Sequence, residues 1–148
     1  MDPLIARLRT IHRLETGAEM DEYDELIGQL SRAEPLDPAL LSDLLLSFSD
    51  DTERREVMWG LVHHVEDYPA EIYIPGLVAV LPQMVPQAHE WALLLLRRLL
   101  NTAGDRSLLR DAYRTQPPEQ REVVLGLLRE LTVEDPSSAR SVDEVTKS

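Results

Sequence analysis

Apolar residues recur every three or four positions along most of this chain, and no pair of segments alternates as half-buried strands do. Leu4, Ile5, Leu8 and Ile11 set this spacing after an Asp-Pro pair, which is typical of a helix N-terminus. Similar runs follow, separated by short polar or proline-containing gaps. The pattern predicts an all-α protein, with helices over about 2–16, 19–30, 37–48, 51–67, 69–82, 86–100, 108–113 and 117–131.

A short motif occurs twice within this helical pattern. Residues 55–57 (Arg-Glu-Val) and 60–61 (Gly-Leu) reappear as residues 121–123 and 126–127, and Trp91 lies about midway between the copies. The period is therefore roughly 33 residues, a length typical of helical hairpins that need a neighbour to cover their apolar face. We predict a stack of about eight antiparallel helices with a HEAT-like helical-repeat architecture.

The helical pattern ends near the C-terminus. From Thr132 onward the apolar pattern gives way to a mostly polar sequence. A segment with so little apolar surface does not offset the entropy that is lost when it becomes ordered. We therefore predict a single all-helical domain over residues 1–131 and a polar, disordered tail over residues 132–148.

The formal net charge is −12, and it is unevenly distributed. Residues 1–71 contain 17 acidic residues and 6 arginines (net −11), whereas residues 72–131 contain 6 acidic residues and 7 arginines (net +1). This sign argues against a nucleic-acid or membrane partner, because both require clustered Lys and Arg. An acidic half would speed association with a basic partner, although solubility alone would also explain it.

Several classes of chemistry lack their usual sequence motifs. The chain has no cysteine, and its six glycines form neither a phosphate-binding loop nor a nucleophile elbow. The first residues lack the basic-then-apolar order of a signal sequence, and no apolar run approaches the ~20 residues of a membrane span. These observations predict a cytoplasmic protein with no cofactor and no catalytic residue.

The helix predicted over residues 51–67 holds one cluster with metal-binding or acid–base potential. On a helix His63 faces Asp67, but His64 points about 100° away, so the two histidines do not form a zinc-protease pair. Counting at the same angle places His64 on the polar arc of this helix, together with His63 and Asp67. A metal-dependent enzyme is therefore a weaker interpretation than a polar stripe on which a partner docks.

Glu66 falls between apolar positions of the same helix, where an ionised carboxylate needs hydrogen bonds. Its partner could be Arg97, Arg98 or the backbone amides that open the next helix, or a cation supplied by a binding partner. Trp59 lies at the edge of the apolar arc, where it could serve as a core residue or as an interface anchor. Trp91 has the spacing of a core residue.

Acidic residues cluster near the predicted helix starts, where capping and the helix dipole alone would favour them. Their number exceeds that need, so we also expect some of them to contact a partner. The predicted partner-binding residues are Asp24, Asp50, Asp51, Trp59, His63, Glu66 and Asp67.

Two blocks of this sequence resemble the Immunity protein 30 family of bacterial polymorphic-toxin immunity proteins. The first is residues 56–63 (Glu-Val-Met-Trp-Gly-Leu-Val-His) with 65–67 (Val-Glu-Asp). The second is residues 90–92 (Glu-Trp-Ala) with 94–101 (Leu-Leu-Leu-Arg-Arg-Leu-Leu-Asn). The similarity extends over about residues 40–115, and the family pattern gives weight to Trp59, His63, Glu66, Trp91, Arg97 and Asn101.

The resemblance implies an all-helical protein, encoded beside a secreted toxin domain, that binds this toxin and blocks it without catalysis. With the acidic first half, it suggests a toxin with a basic surface, such as a nuclease, whose active site is occluded. The alternative hypothesis is a HEAT-like scaffold or adaptor that binds a host peptide or protein. Genomic neighbourhood distinguishes the two hypotheses.

Overall fold

The computed structural model describes residues 1–147, and over this range the fold is all-α, with eight α-helices and no strand. Most helices pack against helices one or two places away along the chain. The HEAT-like repeat itself remains a prediction. The helices are α1 (Pro3–Thr10), α2 (Gly17–Ser31), α3 (Leu41–Leu45), α4 (Arg55–Glu66), α5 (Ala70–Leu99), α6 (Ala103–Thr115), α7 (Pro118–Glu134) and α8 (Ala139–Thr146).

The long helix α5 is the centre of the molecule. It packs against α3 and α4 on the N-terminal side and against α6 and α7 on the C-terminal side. At Gly76 it approaches α3 so closely that a Cβ atom would lie 2.8 Å from Leu41 Cδ2. The buried side chains of α5 include Tyr73, Ile74, Leu77, Val78, Leu81, Met84, Trp91, Leu95 and Leu96.

The sequence pattern predicts two helices over residues 69–82 and 86–100, and α5 does consist of two helical segments, but the structure moves the break between them to Ala88. The helix runs through Pro75, Pro82 and Pro86 and is interrupted only at Ala88, whose φ and ψ are −141° and 43°. None of the three proline side chains is buried, so each ring lies toward solvent while the opposite face stays packed. The prolines therefore predicted the break a few residues too early. Packing of the opposite face keeps the chain helical through positions where the prolines alone would weaken the helix.

The two copies of the repeated motif both lie on helices. Leu61 on α4 and Leu127 on α7 occupy the same motif position, and both are buried. However, Arg55 is the first residue of α4, whereas Arg121 is the fourth residue of α7. The motif thus marks a shared inward face without a shared helix start.

A disordered tail is predicted for residues 132–148, but over residues 132–147 the C-terminal segment is largely helical; Ser148 lies outside the described residues. Helix α7 continues to Glu134, and α8 packs against α6 and α7. Val142 and Val145 lie one turn apart on α8, so both reach the same face and are buried. The sequence pattern missed this helix because it counts the apolar residues of the segment alone, whereas α6 and α7 supply the surface that covers the two valines.

Replacing Val145 tests whether α8 belongs to the cooperative fold. Val145 is 0% exposed and Val133 is 82% exposed, which makes Val133→Ala a matched control. We expect Val145→Ala to lower the free energy of unfolding by about 1.5 kcal/mol, since two buried methyl groups are removed. Urea denaturation measures both variants, and equal stability of the two would contradict a packed α8.

His64 is buried where α4 packs against α2, which corrects its predicted place on the polar arc. Its Nδ1 atom and the Ser31 hydroxyl form a hydrogen bond of 3.0 Å. Burial lowers the pKa of His64 below 6.5, and the nearby Asp67 carboxylate opposes this shift. The helical spacing within α4 could not predict this burial, because the burial depends on packing against α2, which is distant in sequence.

The lowered pKa of His64 predicts a pH dependence of stability. Above pH 6.5 the imidazole is neutral in both states, whereas at lower pH the unfolded chain binds a proton that the folded chain does not. This group should therefore lower the free energy of unfolding as pH falls from 6.5 to the folded-state pKa, by at most about 1.4 kcal/mol per pH unit. His64→Gln should remove that dependence, and His63→Gln at an exposed position should retain it. Denaturation at several pH values would show either result.

Candidate partner-binding surface

Glu66, Arg98 and Trp59 form one cluster on the surface between α4 and α5. The Arg98 guanidinium donates hydrogen bonds of 2.6 and 2.8 Å to the two Glu66 carboxylate oxygens. These hydrogen bonds raise the pKa of Arg98. The same guanidinium lies 5.3 Å from the centroid of the Trp59 ring, within the range of a cation–π contact. Glu66 is therefore satisfied by Arg98, one of the two arginines expected from sequence.

Trp59 connects this cluster to the core of the protein. Its ring is partly buried and meets the buried Trp91 ring edge-on, with the centroids 6.3 Å apart. Its other neighbour is the exposed His63, whose ring centroid is 5.8 Å away. Asp67 follows at the C-terminus of α4 and is exposed. Four of the predicted binding residues thus share one side of α4.

A cleft of about 420 Å³ opens beside the cluster, which we name the α4–α6 cleft. It lies between the end of α4, the first turns of α5 and the start of α6. Its volume is within the ~300–1,000 Å³ typical of ligand sites. The residues that line it are Glu66, Tyr68, Ala70, Tyr73, Ile74, Arg98, Leu99, Asn101, Thr102 and Asp105.

Sequence analysis missed Tyr73 and Asp105 in this cleft. Thr102 caps α6 by accepting a hydrogen bond from the Asp105 amide, and this Thr-x-x-Asp spacing is a recognisable N-terminus signal. It would have placed the start of α6 at Ala103 and Asp105 in its first turn. No sequence signal identifies Tyr73, because its position is that of an ordinary core residue.

Asp50 performs an internal role at the break in α5. Its carboxylate accepts hydrogen bonds from the amides of Glu90 and Trp91, at 3.0 and 3.4 Å. These amides open the second segment of α5, and Ala88 has no side-chain acceptor to cap them. Asp50 is therefore a capping residue supplied by a distant loop, whatever contacts it makes with a partner.

Asp51 and Asp24 lie apart from the α4 cluster. Asp51 is exposed, 3.7 Å from Arg13 and 4.0 Å from His12, and it lines a second cleft of about 590 Å³ near α1. That cleft also includes Asp50 but shares no lining residue with the α4–α6 cleft. Asp24 is exposed on α2 and lines neither cleft. The seven predicted residues thus occupy more than one place on the surface.

Arg97, which the family resemblance weighted, points away from this cluster. It donates a hydrogen bond of 2.7 Å to Glu134 and so joins α5 to α7. Asn101, also weighted by the resemblance, lines the α4–α6 cleft. Over residues 1–147 no group of three or more His, Asp or Glu side chains is placed to hold a metal ion. In the same range no helix is long and apolar enough to cross a membrane.

A helical surface that places tryptophan and arginine beside a polar cleft is typical of proteins that bind other proteins. The family model of Immunity protein 30 matches residues 10–109, and the chain belongs to this family. It is thus an immunity protein against a toxin. The matched range contains all seven predicted partner-binding residues and every residue of the α4–α6 cleft. No curated protein and no solved structure matches the chain.

Two substitutions of Asp50 distinguish how much its hydrogen-bond capping and how much its negative charge contribute to the stability of the fold. Asp50→Ala removes the acceptor for the Glu90 and Trp91 amides and should lower the free energy of unfolding by about 1 kcal/mol. Asp50→Asn retains an acceptor oxygen without the charge and should cost a few tenths of a kcal/mol. Thermal and urea unfolding compare the two. A destabilised Asn variant would mean that charge, and not capping, is the contribution of Asp50.

Proposed function

We propose that this immunity protein neutralises its toxin by covering the toxin's active site with the acidic N-terminal half, without catalysis. The observation that supports this proposal is a set of exposed carboxylates in that half that have no cationic partner. Four exposed carboxylates make no ion pair within residues 1–147: Asp21 and Asp24 on α2, Glu53 just before α4, and Glu56 in its first turn. Since α2 packs against α4, these carboxylates lie on neighbouring elements.

The C-terminal half supplies the contrast. Glu134 pairs with Arg97 at 2.7 Å, Glu144 pairs with Arg106 at 2.6 Å, and Glu130 contacts His89 at 2.6 Å. Several of its carboxylates are thus balanced by bases of the same chain. Residues 72–148 contain 10 acidic and 9 basic residues, so their net charge is only −1, against −11 for residues 1–71. The negative field therefore belongs to the N-terminal half.

An uncompensated negative surface is complementary to a basic active-site cleft. Nucleases have such clefts because their substrates carry a phosphate backbone, so a nuclease is the toxin class that this charge fits best. The field would accelerate encounter, and charge pairs that lose water at the interface would then exclude substrate. Fast capture suits a protein that must block a toxin before it acts.

Co-expression with the gene product encoded beside this chain tests the proposal directly. We expect the two proteins to co-purify, and we expect this chain to suppress the toxin's activity in a purified assay at equimolar ratio. Failure to bind or to protect would contradict the proposal and would favour the scaffold or adaptor alternative.

The salt dependence of the association rate tests the electrostatic part of the mechanism. The rate constant should fall by about tenfold between low and physiological ionic strength, because salt screens exposed charges. Asp24→Asn and Glu56→Gln should each slow association, because both carboxylates are exposed and make no ion pair within residues 1–147. Asp111→Asn provides the matched control, since Asp111 is exposed on α6 within residues 72–131, whose net charge is +1. Stopped-flow mixing measures all four proteins, and equal rates would place the docking face elsewhere.

A further inference from the structure

Tyr73, which lines the α4–α6 cleft, has a buried hydroxyl group that the chain itself does not satisfy. Tyr73 is only 4% exposed, and its hydroxyl has no hydrogen-bond partner within the described residues. The neighbouring Tyr68 differs, since its hydroxyl donates to the Asp37 carbonyl at 2.8 Å. A buried hydroxyl without a partner destabilises the protein. Tyr23 on α2 carries such a hydroxyl too, but Tyr73 also lines a cleft, so a group from outside the chain has a route to it.

The charges around Tyr73 indicate the kind of group that the cleft accepts. Burial is the main cause that raises the pKa of Tyr73, the Glu66 and Asp105 carboxylates raise it further, and Arg98 opposes them. All three charges therefore lie within electrostatic range of the phenol. Glu66 and Arg98 neutralise each other, but Asp105 makes no ion pair with residues 1–147. The cleft consequently has an excess of one negative charge.

The remaining polar side chains of the cleft also accept hydrogen bonds. Thr102 and Asn101 contribute a hydroxyl oxygen and an amide oxygen beside the Asp105 carboxylate. A group that offers several N–H donors and carries a positive charge would satisfy these acceptors together with the phenol oxygen. An anion would instead be repelled by Asp105, and an apolar group would leave the polar atoms without partners.

We propose that the α4–α6 cleft receives a lysine or arginine side chain of the toxin, held by the Tyr73 hydroxyl and the Asp105 carboxylate. This inference rests on the proposed function, because it names the group of the toxin that one part of the interface binds. Arg98 contributes by holding Glu66 and the face of Trp59 in place beside the cleft. The toxin would thus be held both by one cationic side chain bound in the cleft and by attraction to the exposed carboxylates of α2 and α4.

Two conservative substitutions test the proposal, with the toxin domain encoded by the neighbouring gene as the probe. Tyr73→Phe removes one hydroxyl, and Asp105→Asn removes one charge while keeping the side-chain volume. Each should weaken the complex by about tenfold or more, mainly through faster dissociation. Tyr73→Phe should leave the unfolding midpoint unchanged or raised, because the wild-type hydroxyl has no partner inside the chain.

Tyr23 offers a matched control for the tyrosine substitution. It is 0% exposed, and its hydroxyl also lacks a partner within the described residues, but it lies on α2 and lines no part of the cleft. Tyr23→Phe should therefore leave the dissociation constant unchanged. If Tyr23→Phe weakens binding as much as Tyr73→Phe does, the effect is general to buried tyrosines and the inference is wrong.

The remaining outcomes separate this inference from the proposed function. If the wild-type chain does not bind the toxin, both proposals fail. If the wild-type chain binds and both cleft variants bind equally well, only the cleft inference fails. If Tyr73→Phe weakens binding but Asp105→Asn does not, the occupant is a neutral group, and the proposed cationic side chain is excluded.

Discussion

The structure depends on the packing and capping of Trp91 just after α5 breaks at Ala88. The Trp91 amide donates to Asp50, and its indole N–H donates to the Ser49 carbonyl at 2.9 Å. Its ring is fully buried. The ring centroid lies 5.4 Å from the centroid of the Phe48 ring and 4.3 Å from the guanidinium carbon of Arg55. One residue therefore joins a distant loop, the start of α4 and the central helix, and a change there would alter all three.

The contact between Trp59 and the buried Trp91 positions the surface cluster of Trp59, Glu66 and Arg98. Trp59 packs edge-on against Trp91, so the face of α4 that carries Trp59 is held at a set angle to α5. Arg98 then reaches both the Trp59 ring and the Glu66 carboxylate. Trp59, which the family pattern weights, thus packs against both the core residue Trp91 and the surface residue Arg98. This dual position explains why a family pattern alone does not separate scaffold from contact.

The acidity of the N-terminal half has two physical parts. Some carboxylates act inside the chain. Asp2 caps α1, Asp50 caps the second segment of α5, Asp37 caps the short 3-10 helix Pro38–Leu40, and Glu66 binds Arg98. Others remain exposed without a cation, and only these contribute fully to an external field. The surface available to a basic partner is therefore smaller than the net charge of −11 over residues 1–71 suggests. In this half, fold stability and recognition use the same type of residue at different positions.

Spacing along the sequence was sufficient to predict the all-α class, most helices and the buried side of α4, because these depend on contacts within three or four residues. It could not determine that Asp50 caps the second segment of α5, that Ser31 meets a buried His64, or that Val142 and Val145 are buried where α8 packs against α6 and α7. It also left the Tyr73 hydroxyl indistinguishable from any core tyrosine. A helical period defines the direction of a side chain, but only tertiary packing decides which distant group, if any, lies opposite it.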